Sequence, residues 1–542
     1  MGDTNMEKYV LSYDIGTTGV KTCLFRIDQI ITLLESASMG YGLTVLENGG
    51  VEQNVDEWWE AMCVTTKKVF SESSIEPEQV DGISFCSQMQ GVVVVDKECN
   101  ALRPAMSYMD QRAKQELKET IAYGPQVAGA NLFKFLPYFY YTHAVSSSVK
   151  DPIFKYLWIK NNEPEVYDNI YKWLDVKEYL IARCTGKCVM TEDSAFATLL
   201  YDTRKGHEGW SDQLCDMMGI YKQHLPTIVK STDEVGPLTK QAAEELGLVP
   251  GIAVFGGGGD ASLIPVGAGA VAPGDTHIYS GTSGWVGTVL DKQKVDVFAM
   301  IAAIVGAQEG RYNYFAEMET AAKCVEWVKD HLALDEVDIY LDKHDVTENK
   351  EGFEAAYTSL YDYLTEIMRT VPAGSGGVIF TPWLHGNRCP FEDPNAAGMF
   401  FNITLETGKR EMIRSVVEGV CYHQRWMLEQ EAKHVKTSDT IRFVGGGALS
   451  PVTCQILADV TGRKVETVPS PQNVGAVGAA AIMGVGLGVI STIDKVKDFI
   501  PASKTYTPDL ANKAVHDRNF EVFKSLYKNN KKAFASLNGE KA

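Results

Sequence analysis

Short apolar runs closed by glycine-rich polar tips alternate along this chain with longer stretches of helical spacing, the pattern of an α/β protein. The run Tyr9–Tyr13 ends in Asp14 and the tip Gly16-Thr17-Thr18-Gly19. A second run, Thr22–Ile27, follows at once, which predicts a β-hairpin with a polar tip. A third apolar segment lies around Gly40–Leu46. Val55–Glu72 has helical spacing, with Trp58, Met62, Val69 and Phe70 toward a core. Strands at Val80–Cys86 and Gly91–Val95 flank the polar loop Ser87-Gln88-Met89-Gln90. Helices are expected from Met109–Arg112 onward, over Pro152–Asn162, over Tyr167–Gly186 and over Asp233–Leu246, ahead of a strand at Ile252–Phe255.

That strand runs into Gly256-Gly257-Gly258-Gly259-Asp260, and Ala261-Ser262 open a small-residue helix through Gly269. The stretch Thr276–Val286 then repeats the opening design, with Gly281-Thr282-Ser283-Gly284 in place of Gly16-Thr17-Thr18-Gly19. Helices are expected at Glu317–Leu332, Gly352–Thr370 and Glu411–His434, and a strand at Val378–Thr381. Another strand, Ile441–Val444, turns through Gly445-Gly446-Gly447-Ala448 into a helix at Pro451–Thr461. Val474–Ile490 is a buried helix with its following turn, and the charged tail after Asp494 is expected to lie on the surface as helix.

Length changes this picture first. At 542 residues the chain exceeds one ordinary core, so two domains or more are expected. We place their limits at residues 8–270 and 271–490, with a helical tail at 491–542. A formal net charge of −19 argues against a nucleic-acid partner and for a small-molecule role in the cytoplasm. Eleven scattered cysteines do not form a disulfide framework and suit a reducing compartment. Cys184 and Cys188 stand close with no second pair nearby, which is no zinc site. Val474–Ile490 is short for a membrane span, and its glycines suit close helix packing better than lipid.

The candidate chemistry sits at the tips. Gly16 and Gly19 let backbone approach a ligand, and successive amides with the Thr17 and Thr18 hydroxyls can cradle phosphate oxygens. Asp14 can hold the water shell of Mg²⁺. One such turn also closes an ordinary hairpin; two in corresponding chain halves could clasp a polyphosphate between two domains. Asp260, delivered by a glycine run onto a helix N-terminus, is expected to be positioned, partly buried and kept ionised, and the same run would also serve as an interdomain hinge. Gly446 and Gly447 leave bare backbone for a nucleotide edge, without the spacing of a dinucleotide fold.

With these pieces in line, the chain resembles the FGGY carbohydrate kinases, and within them the xylulokinase branch, from about Tyr9 to about Ile490. One family signature is met by Pro152, Lys155, Tyr156, Trp158, Ile159, Asn161 and Asn162. A second is met by Gly398, Phe400, Ile403, Glu411, Met412, Ser415, Val416, Val417 and Glu418, with Asn402 where the family has glycine. Thr381-Pro382-Trp383 through Arg388 and Asp393-Pro394-Asn395 also look like the family's central stretch.

The resemblance implies two actin-like, ribonuclease-H-like domains closing on a catalytic cleft, with ATP and Mg²⁺ as cofactors and a small sugar as substrate. Asp260 would be the catalytic base. Asp14, Gly16, Thr17, Thr18, Lys21, Gly281 and Thr282 would meet Mg-ATP and its phosphates, and Gly446, Gly447 and Ala448 would border the adenosine. Asp14 and Asp260 would hold the metal through water, while Met89, Gln90, Asp260 and Ala261 would face the sugar. Xylulokinases usually carry Met-His where this chain has Met89-Gln90, and Asp-Asn where it has Asp260-Ala261; glycerol kinases carry Arg-Glu at the first pair, which disfavours glycerol. D-Xylulose is the leading substrate, with another ketose or polyol next. The oligomeric state is open, a homodimer included. Nucleotide-gated scaffolds of the actin kind share the clefted fold; Asp260 and the two signatures favour the kinase.

Overall fold

The computed structural model describes residues 7–332 and 360–539. Two large sheets organise them. The first has the order Glu234–Pro237, Ala253–Phe255, Val80–Ser87, Lys8–Ile15, Gly19–Ile27, Ile31–Gly40, with Gly258–Gly259 also paired to Val80–Ser87. Lys8–Ile15 and Gly19–Ile27 form the expected hairpin, with Asp14 opposite Lys21. Lys8–Ile15 also runs parallel to Val80–Ser87, which puts Asp14 beside Cys86.

The second sheet repeats that plan. Its order is Val295–Asp296, Ile301–Val305, Tyr312–Met318, Gly284–Leu290, Thr276–Ser280, Thr440–Val444, Lys464–Thr467, Lys504–Tyr506. In each sheet a hairpin strand pairs in parallel with a later strand, a second parallel strand follows, and an antiparallel strand lies beyond it. The repeat noticed in two tips therefore extends to two whole sheets, as expected of a paired actin-like fold. Each outer parallel strand leads to a helix, Asp260–Gly267 in the first half and Val474–Gly486 in the second. These two helices pack on each other at glycines: a Cβ on Gly267 would lie 2.0 Å from the Val474 carbonyl oxygen, and one on Gly478 2.2 Å from that of Leu263. Bare backbone is what lets the halves meet there.

Val55–Glu72 forms as the spacing predicts, with the Asn54 side chain accepting from the Asp56 amide at 3.0 Å, and it buries Trp58, Met62 and Val69. Several other expectations need correction. The apolar segment around Gly40–Leu46 holds only the short strand Thr44–Val45, and the third strand of the sheet lies before it at Ile31–Gly40, a half-exposed edge whose polar residues face solvent and dilute the signal. Met109–Arg112 is a turn, and the helix begins at Lys114. Tyr167–Gly186 is not one helix: Lys172–Leu174 pairs with Val93–Val95, and Asp175 caps a separate helix at Val176–Thr185. Asp233–Leu246 is a strand, Glu234–Pro237, and then a helix from Lys240 behind a Thr239 cap. Glu317 and Met318 close the strand Tyr312–Met318, with the helix waiting until Lys323. Of the stretch Gly352–Thr370, residues 352–359 lie outside the described ones, and Leu360–Arg369 is helical.

The tail is more than a surface veneer. Lys513–Asn538 sinks Phe520, Phe523, Leu526 and Phe534 into the second core, where Phe523 and Phe534 meet Trp383. Four such side chains each contribute roughly 1.5–3 kcal/mol of burial, so the second half depends on this helix. No helix among the described residues is long and apolar enough to cross a membrane.

Candidate active site

The first wall of the site is the tip after Lys8–Ile15. The Gly16 amide donates to the Gly19 carbonyl at 2.9 Å, which closes the turn. Tyr41 Oη donates to the Gly16 carbonyl, Gln53 Nε2 to the Thr17 carbonyl at 2.7 Å, and the Tyr108 and Thr17 hydroxyls meet at 3.3 Å. The tip is thus braced from behind, and Thr18 is exposed. Asp14 is half-buried. A Cβ on Gly475 would stand 3.1 Å from its Oδ2 and 2.7 Å from Cys86 Sγ, so the first turn of the second-half helix lies against the carboxylate. Lys21 Nζ reaches across to the Gln472 carbonyl at 2.9 Å. Burial raises the Asp14 pKa, against the pull of Lys21 and Cys86.

Asp260 stands at the N-terminus of its helix, and the glycines before it are there for contact. A Cβ on Gly257, whose φ is +63°, would fall 2.2 Å from the Phe85 carbonyl oxygen, and one on Gly259 2.2 Å from Met89 Sδ. Asp260 Oδ1 accepts from the Ala261 amide at 2.8 Å. Burial lifts its pKa to about 7, and the carboxylates of Asp14, Glu317 and Asp193 push the same way, so the helix N-terminus does not keep it ionised as expected: burial outweighs the Ala261 amide. Asp260 thus feels the charge of Asp14. Asp193 clamps both sides of Asp260: its Oδ2 takes the Gly259 amide at 2.7 Å and the Ser262 hydroxyl. It stays ionised below the usual carboxylate range because Lys177, 4.0 Å away, and these donors outweigh its burial.

The loop carrying Met89 and Gln90 is equally held. Gln90 adopts φ +64°, its amide and that of Gly91 donate to the Asp175 carboxylate at 2.8 Å each, and buried Lys155 donates to its carbonyl at 2.8 Å. Gln88 Nε2 donates to Gln53 Oε1 at 2.9 Å, linking this loop to the first tip. The Ala261 carbonyl accepts from Asn313 Nδ2 of the second half at 3.1 Å. Its methyl group offers a sugar no hydrogen bond.

The second wall is the tip after Thr276–Ser280. Gly281 and Thr282 carbonyls accept from the Ala322 and Ala321 amides at 2.8 and 3.0 Å. Tyr279 stacks on Trp285 and lies against Gly281, and its hydroxyl pKa is raised by burial and then by Asp14 and Asp260. That influence ties the second hairpin to both acids. Gly445, at φ +92°, and Gly447 press on Ser280, whereas a Cβ on Gly446 would meet nothing within 4 Å. Ala448 is buried beside them. The predicted residues therefore fall into three groups: the first tip with Asp260 and the Met89–Gln90 loop, the second tip, and the Gly445–Ala448 turn behind that tip. Sequence reasoning missed Tyr108, Asp193, Lys177 and Glu317, the last ion-paired to Arg388 at 2.7 Å. Tyr108 and Glu317 sit in stretches without a motif, and only the fold brings them here.

The sequence description of the FGGY carbohydrate kinase N-terminal domain matches residues 9–267, and that of the C-terminal domain matches residues 277–487. The chain belongs to the FGGY family of carbohydrate kinases. It is 26% identical to the xylulose kinase of Bacillus subtilis over 528 residues, 97% of each chain, and 27% identical to the gluconokinase of the same organism over 508 residues, 93% of this chain and 92% of the relative. Among solved structures, a ligand-bound xylulose kinase from Lactobacillus acidophilus superposes with a TM-score of 0.81 at 24% identity, over 98% of this chain and 99% of the other, which shows the shared fold.

The family signatures now have physical content. Lys155 of the first is the anchor of the Gln90 carbonyl. In the second, buried Glu418 accepts from the Gly374 amide, Ser375 Oγ and Arg414 Nε at 2.8–2.9 Å, while Glu411 takes the Gly408 amide at the helix start. Asn402 stands at φ +67°, the left-handed region that explains glycine at this place in relatives and that asparagine tolerates best among other residues. A sugar kinase of this family uses ATP as its phosphoryl donor.

Proposed function

We propose that this kinase transfers the γ-phosphoryl group of ATP to a hydroxyl of a neutral ketose, D-xylulose first, giving D-xylulose 5-phosphate. The observation that carries the reading is Asp260, a clamped carboxylate with its pKa lifted to about 7 beside the Met89–Gln90 loop. A sugar hydroxyl is a weak nucleophile, and a base poised near neutral pH can accept its proton as the oxygen–phosphorus bond forms. Thr17, Thr18, Gly281 and Thr282 would meet the phosphates from two sides, with Gly16 and Lys21 shaping the first side. Gly446, Gly447 and Ala448 would border the adenosine. We assign sugar and phosphate binding to residues 8–270 and nucleotide binding to 271–490.

The residues present also fit Mg²⁺. Burial disfavours charge on both Asp14 and Asp260, and the Asp14 carboxylate adds to the rise at Asp260. A divalent cation with its water shell would relieve that repulsion and, once bound, neutralise charge on the phosphates. Asp14 would hold it through water and Asp260 would share the shell.

Substrate choice rests on Gln90 and on the charge of the cleft. Asp14, Asp260, Glu317 and Glu319 make a neutral sugar a better guest than an aldonate, although relatives include a gluconokinase. Gln90 can hydrogen-bond a hydroxyl, and Ala261 cannot. A coupled assay of ADP release over pentuloses, hexuloses, polyols and aldonates tests this, with the highest kcat/KM expected for D-xylulose. A higher value for gluconate would overturn the substrate, and sugar-independent ADP release alone would overturn the kinase reading.

A further inference from the structure

Eight of the eleven cysteines are buried, and three, Cys63, Cys99 and Cys188, are half-buried. Cys184 is buried in the first core, and Cys188 packs at the edge of that core. Cys188 meets Cys99, with the two Sγ atoms 3.2 Å apart across 89 residues of chain. Both line a surface cavity of about 670 Å³ in the first half, with Lys97, Lys187 and Tyr171 at its walls and Asp260 not among its lining. Cys99 occupies the turn Asp96–Asn100 at φ +65°, held by its amide donating to the Asp96 carbonyl at 3.1 Å. Cys188 opens the segment that becomes the strand Val189–Thr191.

We propose that Cys99 and Cys188 form a reversible dithiol–disulfide site. The sulfurs need to close by little more than 1 Å to reach the ~2.05 Å of a disulfide, and the cavity gives a small oxidant access to both. Either sulfur can donate across the contact; the hydrogen bond with Cys188 favours a thiolate at Cys99, at the open turn, and we give Cys99 the attacking part. The oxidant we name is a hydroperoxide. The Cys99 thiolate attacks one peroxide oxygen, the O–O bond breaks, and hydroxide leaves to take a proton, giving Cys99 sulfenic acid. Cys188 sulfur then attacks the sulfenic sulfur, the S–O bond breaks and water departs with the Cys188 proton. Two thiols and hydrogen peroxide become one disulfide and two waters, a two-electron oxidation. A reducing thiol reverses it by exchange.

The link would join the turn behind Val93–Val95 to the foot of Val189–Thr191. The first of these strands follows the Met89–Gln90 loop, and the second leads to Thr191 and Asp193. A bond closing so long a loop restricts the unfolded chain and raises stability.

The test uses the full chain, fully reduced, then treated with hydrogen peroxide near stoichiometry, alkylated and digested without reductant for mass spectrometry. The Cys99–Cys188 linked peptide pair should appear before any change at Cys63, and vanish on adding dithiothreitol. In Cys188→Ser, Cys99 should stop at a sulfenic acid that dimedone traps. The thermal midpoint of the oxidised wild type should exceed that of the reduced form by a few degrees. Oxidation of Cys63 first, or Cys99 and Cys188 both remaining alkylatable in folded protein after peroxide, would overturn the proposal. So would a Cys99 in Cys188→Ser that no dimedone labels.

Discussion

In the first half, the residue two before the glycine of the hairpin tip is Asp14, set opposite Lys21 across the strand pair. In the second half the same place is held by Tyr279, set opposite Trp285 and stacked on it at 4.1 Å. The helices that follow the sheets differ in the same sense, one opening with Asp260 and the other with Val474. The pairing of the central strands is alike, although the second sheet runs on into Ile301–Val305 and Val295–Asp296. A duplicated backbone has thus kept its two glycine tips and divided its chemistry, with both acids in one half and an aromatic wall with bare backbone in the other. On the function proposed above, the two acids of the first half would share one metal-bound phosphate, while the tip Tyr279–Gly284 of the second half carries no charged side chain and its charge stands farther along, at Glu317 and Arg388.

The strongest way to break this division is Asp260→Asn. We expect turnover to fall by about 10²–10⁴-fold with ATP affinity retained, measured by coupled ADP release and by titration calorimetry. In the wild type, kcat/KM should climb through pH 7 as Asp260 ionises. The stability effect has the opposite sign. Folding raises this carboxyl from 3.8 to about 7, so the folded state holds the proton more tightly, and stability is lost as pH rises across that window. The amide should therefore raise the thermal midpoint at pH 8 and leave it nearly unchanged at pH 3. An equal shift at both pH values would contradict the linkage.

Asp193→Asn should act next most strongly, through position rather than contact with substrate. Losing part of the clamp on Gly259 and Ser262 misplaces the base, and a misplacement near 1 Å costs about 10²-fold in kcat. Removing a negative neighbour also lowers the Asp260 pKa, so the rising limb of the pH profile should move to lower pH. A purely structural role for Asp193 would leave that limb where it is. Gly478→Ala probes the seam between halves. Its new methyl would stand 2.2 Å from the Leu263 carbonyl oxygen, and overpacking of this kind costs about 1–3 kcal/mol. Its check is the midpoint of urea denaturation.

Much of this organisation was legible in the chain itself. Both hairpins, the glycine run before Asp260 and the long helix Val55–Glu72 announce themselves because glycine, hydroxyl and apolar positions coincide locally. What failed was contact made at a distance. Ile31–Gly40 is an edge strand, so only part of its alternation is apolar, and Glu234–Pro237 and Lys172–Leu174 are short strands set by partners far along the chain. Asp193 and Glu317 belong to the same class: an acid in a helix start or at a strand end has no local signature until the fold turns it toward Asp260. The tail helix was misjudged because its charge is visible in sequence and its four buried apolar side chains need Trp383 to explain them.

The gentlest probe of the division is Gly446→Ala. Gly445 and Gly447 are pressed against Ser280, and at these two a Cβ would come within 2.6 and 2.9 Å of it. Loss of stability there would say nothing about a ligand. Gly446 has no neighbour within 4 Å of a Cβ and no positive φ, so alanine should change stability by no more than about 0.5 kcal/mol. Its bare face has then no structural reason, and a nucleotide passing over it supplies one. The methyl should raise KM for ATP about fivefold, the equivalent of roughly 1 kcal/mol of lost contact, and leave KM for the sugar unchanged. If both constants stay at wild-type values, the adenosine lies elsewhere and the second half owes its glycine turn to packing alone.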